Sequence, residues 1–443
     1  MNTSYRIYLT IFLLIVFSIS ASSYAPQYSE EKTSLKIHWK TGAIPISISN
    51  SLIKSNPNIK AESDVAGAVR RSLESWQKVS NIEFEEIASD KQSISPTGNF
   101  GDGVSLITIA QTPENLLLFG SNAEQVSAIT RIFFNKKGEI TEADIVLNPY
   151  QQFSTDGTFG TFDLESTLTH EIGHLLGLEH SLILGATMHE SDSRNGVYNL
   201  SNFSSRTLSA PDISAIRSIY GAGPVEQQPC CGDITGKIYF TDGIKSAKNY
   251  QLWAEDFNTG KIVSEFLTNS DGIFHFKSLP AGKYRVYAHN LSKAKSLKSA
   301  EEIGIVEVSK GKSANISKKL ESAVTDFEAQ YIGFNGQLSE NSITLNGGKS
   351  YTIFIGGKNI NIKDYKVGFS SPLITVMPNS MFEHDFGDKI SVISFEVRIS
   401  SKISLGEYNL YLESGKARRS YILGGLTIEE FENPWSNYSL AND

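Results

Sequence analysis

Apolar residues recur along this chain with two different periods, and the period changes a little beyond residue 221. In the first half, Leu164, Leu168, Ile172 and Leu175 are spaced by three and four residues, which places them on one face of a helix. Asp163, directly before that run, is a residue type that caps a helix N-terminus. The stretch 65–76, ending at Trp76, is also amphipathic, and LKIHWK at 35–40 reads as a strand. Beyond Asp233 the period drops to two. The segments GKIYFTD, NYQLWAEDF and KIVSEFL are short strands, and Phe274, Phe276, Tyr284 and Val286 alternate on either side of SLPAG. Asp271 and Gly272 supply the turn before them. From 325 to 430 a further strand series follows, including NSITLNGGKSYTIFIGG and LGEYNLYLESG. The pattern predicts a multidomain chain: an α+β unit over 34–223, a linker over 224–232, and two all-β sandwich domains over 233–315 and 325–430.

The helix that begins near Asp163 carries the chemistry. Residues 170–180 read HEIGHLLGLEH. His170 and His174 are four residues apart and share a helix face, so both imidazoles can reach one ion at about 2.0–2.1 Å. Gly177 can adopt the positive φ that ends a helix, which turns the chain and returns His180 as a third ligand. Three neutral imidazoles leave one Zn²⁺ with its full charge and an open position for water, whose pKa then falls toward about 7. Glu171 follows His170 directly and projects to the side of the ion, where a carboxylate can act as general acid and base.

The eleven-residue motif, followed by Met188 in ATMHE, resembles the metzincins, and among them the matrixins. GEITEADIVLNP (138–149), Ser181 after the third histidine and LSAPDISAIRSIYG (208–221) extend the resemblance over most of 34–223. It implies a catalytic domain with a twisted mixed sheet and three helices, a methionine turn at Met188 beneath the zinc site, and zinc endopeptidase activity. Departures from the family are visible. No His lies between His38 and His170, so a second, structural zinc of the matrixin type is not expected, and no PRCGVPD-like segment precedes Leu35 to confer cysteine-based latency. HESDSR follows Met188 where the animal enzymes have the proline and tyrosine that wall their specificity pocket, so preference does not carry over. His189 could approach the site as a substrate contact or transition-state donor, and is expected instead to be a surface or structural histidine. Tyr198 is a candidate oxyanion donor. Carboxylates at Asp102, Asp144 and Asp156 suit Ca²⁺, and loop solvation accounts for them equally.

Residues 233–315 resemble the carboxypeptidase regulatory-like or Cna-B family of transthyretin-like sandwiches, and 325–430 resemble an immunoglobulin-like TIG module. Both imply spacer, adhesion or binding roles. His275, on an alternating strand, is expected to face solvent or to be satisfied locally.

The remaining features set the context. MNTSYR followed by IYLTIFLLIVFSIS and small residues reads as a signal peptide over 1–25, with cleavage after Ala21, Ser22 or Ala25 all open, and predicts a secreted or cell-surface protein. A net charge of −8 without long charged runs argues against nucleic acid, and no other apolar run is long enough to hold the mature chain in a membrane. Cys230 and Cys231 are adjacent; they could close a vicinal ring or pair with another chain, and are expected to be two linker thiols with no catalytic part. The chain is therefore read as a secreted zinc endopeptidase acting on extended polypeptides, with an edge strand, ADIVLN, pairing with the substrate. The competing class is a surface adhesin or matrix-binding protein with a vestigial zinc domain, and retention of Glu171 beside all three histidines speaks against it.

Overall fold

Two side chains open the two main helices of the first unit. The Asp64 carboxylate accepts from the Gly67 amide at 3.0 Å, and Asp163 accepts from the Ser166 amide at 2.9 Å. In the computed structural model, which describes residues 36–430 except 41, 96–100, 121–122, 125, 192, 224–230, 241–246, 269–270, 292–296, 322–323 and 386–389, five helices accompany the first sheet. They are α1 (Asn50–Ile53), α2 (Val65–Val79), α3 (Pro113–Leu116), α4 (Leu164–Leu175) and α5 (Ala210–Tyr220). Three are long, as the resemblance implies, and α1 and α3 are single turns. The expected signal segment lies outside the described residues.

The sheet is mixed. Its strands are β1 (His38–Trp39), β2 (Ala43–Ser49), β3 (Glu83–Ser89), β4 (Leu106–Thr108), β5 (Ala128–Phe134) and β6 (Glu139–Leu147), in the order β1, β6, β4, β2, β3, all parallel. β5 joins antiparallel to β6, with Thr130 opposite Ile145. This corrects the edge assignment: ADIVLN belongs to β6, which has partners on both sides, and the edge strand on that side of the sheet is β5. α2 and α4 cover the sheet, burying Val69, Leu73, Trp76, Leu168, Ile172 and Leu175 against Ile46, Ile107 and Ile145. Buried hydrogen bonds fix α4 within this core: Trp76 Nε1 donates to Thr169 O at 2.9 Å, and Trp39 Nε1 donates to Leu175 O at 2.8 Å.

From Cys231 onward all regular elements among the described residues are strands. A sheet of four (Ile262–Leu267, Tyr250–Asp256, Gly282–Asn290, Glu301–Val308) faces a sheet of three (Ile273–Pro280, Cys231–Tyr239, Ser313–Lys319) across a core that includes Leu252, Val286, Ile234, Phe274 and Phe276. Six strands built around Ser350–Lys358 and Ser391–Ile399 face four built around Gly406–Ser414 and Arg419–Ile428, with Ile353, Phe395, Leu410 and Leu426 between them. We refer to these as the middle and C-terminal β units. Cys231 is disulfide-bonded, which differs from the expected free thiol; Cys230 lies outside the described residues. His275 Nε2 lies 2.9 Å from the Asp233 carboxylate, a local partner.

The β units are packed onto the first unit. Ser214 on α5 lies 2.9 Å from Ser264 and donates to Lys277 O at 3.0 Å. Ile183 and Ala186 share an apolar cluster with Trp253, Tyr287 and Leu423, one residue group from each of the three bodies. Trp253 stacks on Tyr287 at 5.1 Å between ring centres, and buried Asn409 donates to Glu255 at 2.6 Å across the junction of the two β units.

Candidate metal centre

α4 ends where the site requires a turn. Gly177 takes φ +90°, its amide donates to His174 O at 2.8 Å, and the Leu178 amide donates to Gly173 O at 3.0 Å. An added Cβ on Gly177 would lie 2.4 Å from the Ile37 carbonyl oxygen, so the close approach of β1 also demands glycine. The turn returns His180 to the face of His170 and His174.

The three Nε2 atoms converge: His174 Nε2 is 3.1 Å from His170 Nε2 and 3.0 Å from His180 Nε2. A tetrahedral zinc with bonds of about 2.0–2.1 Å separates its ligands by about 3.3–3.4 Å, so the donors fit that ion with a shift of a few tenths of an ångström. Among the described residues this is the only cluster of three metal-ligating groups. Two rings are oriented by backbone carbonyls. His170 Nδ1 is 2.8 Å from Thr187 O, and His174 Nδ1 is 2.8 Å from Leu178 O, which places the proton on Nδ1 and leaves Nε2 free to ligate. Burial lowers the pKa of all three, that of His180 to about 3, so they are neutral donors at physiological pH. Each remains partly exposed, which leaves an approach from solvent.

Glu171 is buried behind this face. Thr130 on β5 donates its hydroxyl to the Glu171 carboxylate and lies 3.1 Å from Glu171 O, tying the carboxylate to the edge strand. Met188 is fully buried under α4 at Gly173, where an added Cβ would meet its Sδ at 2.2 Å. The turn around it is held at both ends. Ser181 N donates to Met188 O at 2.7 Å, and Thr187 N donates to the Asp212 carboxylate at 2.9 Å. Asp212 is itself part of a capping box with Ser209 at the start of α5. The signal for it in the sequence is the S-x-x-D pattern of SAPD, which marks a helix start but not its contact with residue 187. Ser181 donates to Glu265 of the middle β unit, a carboxyl that burial pushes up to about 8. No local pattern announces that contact.

Two expectations change. Tyr198 is buried with its hydroxyl 2.9 Å from both Ile332 O and Asn341 O of the C-terminal β unit, so its proton is taken up by main-chain carbonyls rather than held for an oxyanion. His189 takes the alternative near the site: half-buried, it lines a cavity beside His170, with Nδ1 accepting from the Ser191 amide at 3.2 Å, and burial lowers its pKa to about 4. The candidate calcium carboxylates all have protein partners. Asp102 pairs with Lys91, Asp144 with Arg131 and Asp156 with Lys60, and burial raises Asp144 to about 7. Cationic side chains thus meet the charge that a calcium ion would balance.

This arrangement has relatives. The family model described as Matrixin matches residues 38–221. These residues form a matrixin domain. Metalloendoproteinase 1 of Glycine max is 26% identical over 193 residues, covering 42% of this chain and 53% of that protein. The hatching enzyme of Paracentrotus lividus is 26% identical over 188 residues (40% and 26%), and the macrophage metalloelastase of Oryctolagus cuniculus is 28% identical over 176 residues (39% and 32%). The chain thus spans between about a quarter and a half of these relatives' lengths. Within the matrixin domain the histidine triad is the group that suits zinc, the metal that matrixins use.

Proposed function

We propose that this chain is a secreted zinc-dependent endopeptidase in which His170, His174 and His180 hold the metal and Glu171 moves the proton. The observation that carries this reading is the convergence of three neutral, partly exposed imidazoles on one point, two of them oriented by backbone carbonyls, with Glu171, next in sequence to His170, tied to β5 through Thr130. When bound, zinc supplies Lewis acidity, polarising the scissile carbonyl and making water nucleophilic near neutral pH. Glu171 accepts a proton from the attacking water and returns it to the leaving amine, so the base of the first step is the acid of the second. β5 pairs on one side only, with β6, and its free edge beside α4 is suited to bind an extended substrate by main-chain hydrogen bonds. Met188 and Gly177 support the ligands without touching substrate.

The two β units are read as sandwich modules of the transthyretin-like and immunoglobulin-like kinds. Their docking on the matrixin domain favours a part in substrate presentation over a role as free spacers. Secretion rests on the N-terminal sequence and agrees with the disulfide at Cys231, a bond that persists in oxidising compartments. Among the described residues no helix is long and apolar enough to cross a membrane.

The test is metal content of the purified chain together with casein cleavage, with and without chelator. One zinc per chain and chelator-sensitive cleavage are expected, with Glu171→Ala keeping the metal while losing hydrolysis, and His174→Ala losing both. Full activity in Glu171→Ala would remove the acid/base assignment. A chain that neither binds zinc nor cleaves would belong to the adhesin class.

A further inference from the structure

The cavity beside His170 is walled by more than the matrixin domain. One side consists of His170, Thr187 and His189, and the opposite side is closed by Asn341, Ser342 and Thr344 of the C-terminal β unit. The contact between the two sides is close and extensively bonded. Tyr198 N donates to Gln337 Oε1 at 2.7 Å, Asn335 Nδ2 donates to Tyr198 O at 2.7 Å, and the Tyr198 hydroxyl sits between the carbonyls of Ile332 and Asn341. Ser191 Oγ lies 3.2 Å from Asn341 Oδ1, and Leu184 N donates to Leu423 O at 2.9 Å. Glycine permits the approach: a Cβ on Gly185 would lie 2.3 Å from Thr427 Oγ1, and one on Gly424 would lie 2.4 Å from Ile183 Cγ2. The C-terminal β unit is therefore seated against the segment that follows Met188, where the sequence lacks the proline and tyrosine wall.

We propose that residues 341–344 form the floor of the substrate side-chain pocket next to the metal centre, and that this composite pocket takes a neutral or acidic hydrogen-bonding side chain. The proposal rests on the endopeptidase reading and adds its specificity. The chemistry of the lining makes the selection. The Asn341 amide is already bonded to Ser339 and Ser191, and Ser342 and Thr344 add two hydroxyls to this wall, so it offers hydrogen bonds to a polar occupant and little apolar contact to an aliphatic one. Arg194 brings a positive charge to the same cavity. Its guanidinium is held by Gly160 O at 3.0 Å, by Gln151 and over the Phe162 ring, all neutral partners, and among the described residues no carboxylate lines the cavity. A lysine or arginine side chain would meet that positive charge, whereas a carboxamide, hydroxyl or carboxylate would be accepted.

The experiment uses the full chain with zinc and two readouts. Cleavage sites in an unfolded protein are mapped by mass spectrometry, and binding of two peptide hydroxamates, identical except for asparagine or leucine in the pocket position, is measured by calorimetry. Wild type should cut where the pocket residue is Asn, Gln, Ser, Thr, Asp or Glu, and should bind the asparagine compound about tenfold more tightly. Asn341→Leu with Thr344→Val should reverse this preference by about tenfold or more, with zinc content unchanged; Thr344→Val alone, which is nearly isosteric, should move it in the same direction by about threefold. Identical profiles in wild type and both variants would overturn the composite pocket while leaving the endopeptidase intact. A reversed hydroxamate preference without any cleavage would keep the pocket and refute the protease. A wild-type preference for leucine would refute the assigned chemistry.

Discussion

Gly173→Ala should destabilise the matrixin domain and weaken its metal site, although alanine is the better helix former. In α4 the intrinsic gain from the substitution is about 1 kcal/mol. Against it stands the position of the new methyl group, 2.2 Å from Met188 Sδ, 3.0 Å from Met188 Cε and 2.9 Å from Trp76 Cζ2. Non-bonded contacts need about 3.5–4.0 Å, so the sulfur must retreat by more than about 1 Å. Met188 and Trp76 are fully buried, and their surroundings are the core of the domain, so there is no free volume into which they can move. Overpacking of this kind costs about 1–3 kcal/mol, and a sulfur that must retreat by this much puts the cost in the upper part of that range, which leaves a net loss of up to about 2 kcal/mol. The displaced turn also carries Thr187 O, the acceptor that orients His170, and loss of such a partner costs about 10–100-fold in metal affinity. Urea unfolding of the metal-free protein, followed by tryptophan fluorescence, reads the first effect, and zinc competition with a chromophoric chelator reads the second. Adding Met188→Ala should relieve the clash, so that the double variant is about 1 kcal/mol more stable than the sum of the single losses implies. A Gly173→Ala protein that is more stable than wild type and binds zinc as tightly would refute this account.

Gly177→Ala should weaken zinc binding at least about tenfold, because φ +90° is strained for alanine and its Cβ would lie 2.4 Å from the Ile37 oxygen, displacing His180 from the other two ligands; an unchanged chelator titration would contradict this. Glu265 should make stability depend on pH. Its folded pKa is about 8 and its ordinary value 4.5, so the folded state holds a proton that the unfolded state releases, and stability is lost as pH rises from about 4.5 to 8, by about 1 kcal/mol per unit at most. In Glu265→Gln this component is absent, so the melting temperature of wild type should fall relative to the variant between pH 5 and 8; parallel curves would show that Glu265 is ionised in the folded protein.

The sequence by itself determined the features whose partners lie a few residues away. A helix repeat of 3.6 places His170 and His174 on one face, one glycine permits the reversal that brings back His180, and a two-residue period identifies the β-rich second half. These are local consequences of backbone geometry, and they can be read without knowing the neighbours. Only the tertiary structure decided matters that depend on which elements come together. ADIVLN has the apolar run of a strand in either setting, but sheet order makes it internal and leaves β5, with Thr130, at the edge. Asp102, Asp144 and Asp156 have the composition of a cation site, yet each meets a lysine or arginine brought from elsewhere in the chain. Tyr198 follows the methionine turn at a distance suited to catalysis, and its hydroxyl is instead taken up by carbonyls more than a hundred residues away. The same long-range packing seats both β modules against the first domain and brings Asn341, Ser342 and Thr344 to the cavity beside His170, because buried polar groups at the junction must find partners wherever the chain supplies them.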